Sequence, residues 1–483
     1  MVQSYSLVAK RYLRFASTFS IVFSLAVILF TYLRQGTDWS LVTIGFALIH
    51  LILSFINFFI ARHIQNNGKV HPVHRVWGFV LMLSVLLGNP FNFITGMFLI
   101  LRKLMSYQIY LIFTVLVDLT IIATTSLNFF KPTMSPAFTI GLFLLGVSLL
   151  FHWGLALFSA HLKNVSKTQL YIVIGLLVVT SFSGNLLGLI AAWLIWREHH
   201  NQANVRRRSV FSNISRHEVA IFGLYIITFI FAMAITSYLT FEYSYAVENN
   251  YTAILQAPSM TYPLGTDNFG RDVFSRMVFG GRISLLVGVL ATLAPLLIGG
   301  FLGAVSGYYS HRVDQTIMRS LDVLYAIPGI LLAITIVTAF GTSTQNLILA
   351  LSIGGIPGYA RTMRANVLQV KQLEYVEAAH AVGVSDVKII LKHIIPNASA
   401  PMIIRSSLTV ATAVISTSSL SYLGLGVESH IPEWGNILRI GSDYLETQPY
   451  LAIYPGLAII ALVLSFNFLG DGLRDALDPK MTQ

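Results

Sequence analysis

Apolar windows recur along this chain at roughly 16–33, 39–61, 76–101, 107–129, 136–160 and 169–196, then at roughly 218–240, 283–307, 327–341, 345–360, 402–424 and 451–470. A bilayer core takes about 20 residues of helix, so most windows have the length of a span, while 327–341 and 345–360 must borrow flanking residues. Backbone groups cannot stay unpaired in lipid, which makes helices of these windows and predicts an all-α polytopic membrane protein of about twelve spans. With 55% hydrophobic and only 11% charged residues among 483, a soluble fold is excluded. The formal net charge of +11 could suggest nucleic acid. The Lys and Arg, however, sit in short loops beside apolar runs, the positive-inside distribution. Both termini on the cytoplasmic side would put about 22 of them inside and about 9 outside. Cysteine is absent, which removes disulfides, thiol chemistry and Cys-based metal sites. Lys10, Arg11 and Arg14 precede the apolar run Phe19–Tyr32 without a small-residue cleavage pattern, which reads as a retained first span.

The first half carries an internal similarity. Leu87-Gly88-Asn89 through Phe98-Leu99-Ile100-Leu101-Arg102 matches Ser183-Gly184-Asn185 through Trp193-Leu194-Ile195-Trp196-Arg197, and neighbouring windows recur at about the same offset. Three helices per copy would invert the second relative to the first. Asp118 lies mid-window, where an ionisable group is costly and is a functional candidate with His152 or His50 as partner; a hydrogen-bonded helix contact is the alternative. His63, His71 and His74 share a loop without acidic companions and read as surface charge rather than a metal site. Asn201 to Arg216, with Arg206-Arg207-Arg208, is polar and basic, and suits a boundary lying against anionic headgroups. The expected domains are thus a module at 1–205 and a second domain at 206–483 with its core at 280–483.

In the second half, an outside segment contains Gly265, Thr266, Asp267, Gly270, Arg271 and Asp272, then Ser275 and Arg276. Glycines permit tight turns there, and the charges can form a local network. Gly299, Gly303 and Gly307 repeat every four residues, a stripe that lets two helices approach closely. Asp314, Arg319 and Asp322 precede Pro328, which should open or kink the next helix, and Gly354-Gly355-Ile356-Pro357-Gly358 should break the following one ahead of Arg361 and Arg364. Thr409, Thr412, Ser416 and Ser419 fall at i, i+3, i+7 and i+10, on one helical face. They serve either as interhelical glue or as a wet translocation path.

Between these spans lies the longest charge-bearing insert of the half, within 361–400. Glu374 to Ala381 is rich in helix formers, and Gly383 stands where a helix end favours a left-handed residue. Ser385 reads as the N-cap of a second helix, Asp386 to Ile395, ended by Pro396. The product should be a small lever with Ala378 and Ala379 as a smooth face and Glu377 as a charged anchor. An amphipathic loop capping its neighbours is the other reading.

Glu377-Ala378-Ala379 with Gly383, followed by His393-x-x-Pro396-Asn397, resembles the EAA loop of ABC-importer permease subunits of the dipeptide/oligopeptide branch. The stretch Gly265-Thr266-Asp267 to Gly270-Arg271-Asp272-Val273, Pro432-Glu433-Trp434-Gly435-Asn436 and Gly470-Asp471-Gly472-Leu473-Arg474-Asp475 resemble the same family, the last as a cap on the final helix. The resemblance covers roughly 210–483. It implies a type I six-helix permease core and a coupling role for Glu374, Glu377, Ala378, Ala379, Gly383, His393 and Pro396. It also implies a second permease subunit, two ATPase subunits, an extracellular binding protein and a peptide substrate, with nickel chelate as an alternative cargo, at a bacterial plasma membrane. No G-x-x-x-x-G-K-[ST] loop occurs, so no cofactor is expected in this chain and ATP and Mg belong to the partners. Residues 1–205 are additional to the family plan. The competing classes are a stand-alone ion-coupled transporter and an intramembrane enzyme, for which no HExxH, paired carboxylates or serine nucleophile motif is found.

Overall fold

The computed structural model describes residues 2–35, 41–67, 70–84, 89–101, 105–200 and 209–477. Arg206-Arg207-Arg208, with the boundary segment up to residue 208, and Leu87-Gly88 of the internal similarity lie outside them. The described residues are helical with no strand, and a single isolated bridge joins Thr266 and Asp272. Seven helices are long and apolar enough to cross a membrane, or eight if one bent pair counts as a span, among the described residues. The chain divides into two compact units, 1–122 with 144–218, and 123–143 with 219–483.

The first unit holds α1 (Val2–Gln35), α2 (Leu41–Asn67), α3 (Pro72–Leu83), α4 (Pro90–Ile100), α5 (Ser106–Ser126), α6 (Phe138–Phe158), α7 (Lys167–Thr180), α8 (Leu186–His200) and α9 (Val210–Ile214), although the ends of α5 and α6 pass into the second unit. The windows 76–101 and 169–196, expected as single spans, are each two short helices. An arm of 11 to 15 residues is about 16–22 Å long, too short for the hydrocarbon core. Each pair folds back on itself. A Cβ on Gly96 would sit 2.4 Å from the Gly78 carbonyl, and the Tyr171 hydroxyl at the start of α7 lies 3.0 Å from His200 Nε2 at the end of α8. The reversal is local chemistry: Gly184 takes φ +82, and Asn89 caps α4 by accepting from Asn92 N–H. In place of three spans per copy, each copy shows two long helices and a returning pair.

The second unit comprises α10 (Glu218–Thr240), α11 (Ser244–Val247), α12 (Val273–Tyr308), α13 (His311–Tyr325), α14 (Gly329–Phe340), α15 (Thr344–Val370), α16 (Glu374–Ala381), α17 (Asp386–Ile389), α18 (Ile395–Ala398), α19 (Ala400–Tyr422), α20 (Trp434–Ser442) and α21 (Tyr450–Leu477). α12 and α15 pack along the glycine stripe. Cβ atoms on Gly299 and Gly303 would fall 2.6 and 2.3 Å from the carbonyls of Ile356 and Ala360, and one on Gly307 would fall 2.9 Å from Val367. That seam explains one departure from expectation. Gly354 to Gly358 does not break its helix, because α15 runs unbroken through Pro357 while braced against α12. Pro328 does act as foreseen: α13 and α14 bend by 78° at it. Gly470 to Asp475 lies inside α21 rather than capping it, since Gly470 and Gly472 let Ser407 and Ala220 approach.

Candidate functional site

The lever at 361–400 forms as a helix, a glycine bend and a second helical stretch. α16 starts at Glu374, and two acidic residues in its first turn, Glu374 and Glu377, suit the positive end of the helix dipole. Its end is a Schellman closure: Gly383 N–H bonds the His380 carbonyl at 2.9 Å and Val384 N–H the Ala379 carbonyl at 3.1 Å. Gly383 has φ +79, and a Cβ there would meet nothing within 4 Å, so only its backbone angle calls for glycine. Ser385 stands at the N-cap of α17 without a side-chain bond. The second helix does not stop at Pro396. Ile390–Ile394 widens into a π turn in which Ile395 N–H reaches Ile390, and the chain continues as α18 with Pro396 in its first turn. The wider turn makes room for a proline that has no N–H and whose ring crowds the preceding turn.

Burial sorts the expected residues into two faces. Glu374, Glu377, Ala378, Gly383 and Pro396 are exposed and His393 is half-buried. Ala379, expected beside Ala378 on the outer face, is only 8% exposed and points inward with Val376. These two pack with Ile389, Ile390 and Ile394 against Ala304, Tyr359, Met363 and Val367. The α16 surface is therefore narrower than the sequence suggested, with Ala378 as its small residue. Around it stand Val382, 80% exposed, Val387 at 61%, and the exposed Leu373 and Leu391. A polar clamp holds the lever from behind. The Tyr308 hydroxyl, on the last residue of α12, donates to Asp386 at 2.7 Å and lies 2.7 Å from His380 Nε2, with the two rings stacked. Lys371 Nζ donates to the Gly307 carbonyl at 2.8 Å. Arg364 forms a fork on Asp314 (2.5 and 2.6 Å), and Ser306 donates to the same carboxylate. Tyr308 was not foreseen; it ends the glycine-striped helix, a position whose meaning depends on what packs there.

The outer-loop residues build a closed knot. Gly265 (φ +77) and Gly270 (φ +73) turn the chain, and a Cβ on Gly270 would sit 1.7 Å from the Asn250 carbonyl. Thr266 donates to the Ala253 carbonyl and accepts from Gln256 N–H. Asp267 accepts from the backbone of Phe269 and Arg271 and from Arg271 Nε at 2.8 Å, with Arg276 Nε 3.5 Å away. Asp272 caps α12 through Phe274 and Ser275 N–H. Lys131, from the loop between α5 and α6, donates to Asp272 at 2.5 Å and Ser275 Oγ at 2.6 Å. Burial holds the Lys131 ammonium below the usual lysine pKa, an effect the neighbouring Asp272 carboxylate opposes only in part. Sequence reasoning missed Lys131: in the twelve-span reading its loop, between the fourth and fifth windows, falls on the cytoplasmic side, away from the segment that holds Asp272.

Thr409, Ser416 and Ser419 are half-buried and Thr412 is exposed, on one side of α19. The hydroxyls of Thr409 and Thr412 donate to carbonyls of their own helix. In the first unit, Asp118 finds one of its two expected partners. Its carboxylate lies 2.5 Å from His152 Nδ1 and accepts from Asn185 at 2.9 Å, while His152 Nε2 meets Thr180, all of it fully out of solvent except Thr180. His50 turns Nδ1 to the Phe46 carbonyl instead. His63 and His74 rings stand 4.8 Å apart, but no metal-binding group forms among the described residues.

Residues 299–483 match the family described as binding-protein-dependent transport system inner membrane component. The dipeptide transport system permease protein DppC of Alkalihalophilus pseudofirmus is 42% identical over 274 residues, 57% of this chain and 90% of that protein. The glutathione transport system permease protein GsiD of Pectobacterium atrosepticum is 41% identical over 270 residues, 56% of this chain and 89% of its own length. A chain of the MetNI methionine ABC transporter, solved in an inward-facing conformation, covers 42% of this chain and 97% of itself at 19% identity and a TM-score of 0.35. With such identity across nine-tenths of a relative, this multi-pass membrane protein belongs to the inner-membrane components of binding-protein-dependent transport systems.

Proposed function

We propose that this chain is one membrane-spanning subunit of an ATP-driven importer of small peptides in a bacterial plasma membrane, with both termini cytoplasmic. A second related permease, two ATPase subunits and an external binding protein complete the assembly. The substrate class rests on the transport that the relatives are named for, dipeptide and glutathione. ATP and Mg are bound by the ATPase partners; this chain's work is a population shift between two states of its helices. The observation that carries the reading is the lever itself. Exposed Glu374, Glu377 and Ala378 are ringed by uncovered Val382, Val387 and Leu391, while Val376 and Ala379 root the same helix in the core. Such a surface suits a groove on a cytoplasmic ATPase, and the rooted side can pass a push to α12 and α15. Thr409, Thr412, Ser416 and Ser419 are the hydroxyls that would offer hydrogen bonds along the peptide path.

The test is co-purification of the native complex and peptide uptake in proteoliposomes. Glu377→Lys reverses the charge on an exposed residue and should leave the fold intact. It is expected to release the ATPase subunits and lower peptide-stimulated hydrolysis at least about tenfold. Uptake that continues with both ATPase subunits removed would sink the reading, and competition by nickel chelate rather than peptide would reassign the cargo.

A further inference from the structure

The segment 123–143 belongs by sequence to the connection between α5 and α6, yet it folds with the second unit. It is stitched there at successive points. Thr124 Oγ1 donates to Met233 Sδ at 3.2 Å, and Asn128 Nδ2 donates to the Thr240 carbonyl at 2.9 Å. Thr133 bonds the Tyr245 hydroxyl through both its N–H (3.1 Å) and its Oγ1 (2.8 Å). Gly141 lies so close that a Cβ would sit 2.8 Å from the Thr240 methyl. At the centre is Lys131, its side chain 3% exposed, paired with an Asp272 that is wholly covered. The ammonium stands 4.7 Å from the Tyr245 ring centre and 5.9 Å from those of Phe241 and Phe274. Arg271 and Arg276, the other cations of the outer loop, are turned to Asp267 instead.

We propose that this strap is a built-in brace of the outer loop and that Lys131 is a positioning residue, the counter-ion that lets Asp272 cap α12 while buried. A carboxylate removed from water without a partner is strongly unfavourable, so α12 can start where it does only with the ammonium in place. α12 carries the glycine seam to α15 and ends in Tyr308 on the lever, so its outer end bears on both. The brace goes beyond the importer reading and does not depend on it.

The test uses the full chain with Lys131→Met, Asp272→Asn and both together. Methionine fills the aromatic slot without charge, and asparagine still caps a helix. Each single variant leaves one buried charge alone and is expected to lower the unfolding midpoint by roughly 10 °C. The double variant should recover most of that loss, and peptide uptake should follow the same order. A double variant no better than the sum of the singles would overturn the proposal, as would a Lys131→Met protein that unfolds like wild type. If Lys131→Met does not fold at all, folding of the double variant decides. The midpoints are read on the chain itself, so absence of uptake in wild type would count against the importer and not against the brace.

Discussion

Gly270 and Gly383 both hold positive φ, yet they do so for different reasons. At Gly270 the neighbouring Asn250 carbonyl leaves no room for a Cβ, so space and backbone angle both require glycine. At Gly383 nothing lies near, and the cost of a side chain is the left-handed angle alone. Gly383→Ala should therefore cost about 1–2 kcal/mol of local stability, and Gly383→Asn less. Gly270→Ala should exceed that, because a carbonyl 1.7 Å away must move as well. Thermal unfolding of the variants checks the order, and a Gly270→Ala protein as stable as Gly383→Ala would contradict it. Both glycines were legible in the sequence as turn residues. Which one is also sterically filled was not, because Asn250 lies 20 residues away in the chain and only the fold brings it there.

Among elements, the lever owes its position to two kinds of contact. The buried apolar set, Val376, Ala379, Ile389, Ile390 and Ile394, fixes it to the core. Ile389→Ala should destabilise the loop by about 2–4 kcal/mol, visible as faster amide exchange across 374–398. The Tyr308 clamp is partly exposed and worth less. Tyr308→Phe removes bonds to Asp386 and His380 and should cost about 0.5–1.5 kcal/mol while reducing coupled hydrolysis severalfold. Unchanged exchange in Ile389→Ala would mean that the loop is held from elsewhere. The helix–glycine–helix pattern could be read from Glu374 to Ser385, because caps and bends are set within a few residues. The inward turn of Ala379 could not, since Ala378 and Ala379 are equally small and only the packing partners Tyr359 and Met363 tell them apart. The continuity of α15 through Pro357 was hidden for the same reason. Proline and glycine weaken a helix locally, and the α12 seam restores it from outside.

For the molecule as a whole, the glycine stripe of α12 decides whether the second unit closes. Gly303→Leu would drive a side chain onto the Ala360 carbonyl, and it should abolish folding into membranes or uptake, whereas a leucine at Gly456, which faces open space, should be tolerated. Expression and uptake of the two variants compare them directly; equal behaviour would mean that α12 and α15 do not move or pack as one piece. The returning pairs of the first unit belong to this scale too. Hydropathy sums over a window and does not register a reversal within it, so 76–101 and 169–196 read as spans although Gly-Asn stands in the middle of each.

From sequence alone came the membrane class, the all-helical fold, the family and the positions of the lever and outer-loop motifs. These rest on composition, on the rule that lipid leaves no backbone group unpaired, and on short motifs whose geometry closes within a few residues. Tertiary structure alone decided which alanine faces outward, that Tyr308 and Lys131 are tied to the lever and the outer loop, and that the strap 123–143 folds with the second unit. Those facts depend on pairs such as Lys131 and Asp272, 141 residues apart, whose meeting no local rule encodes.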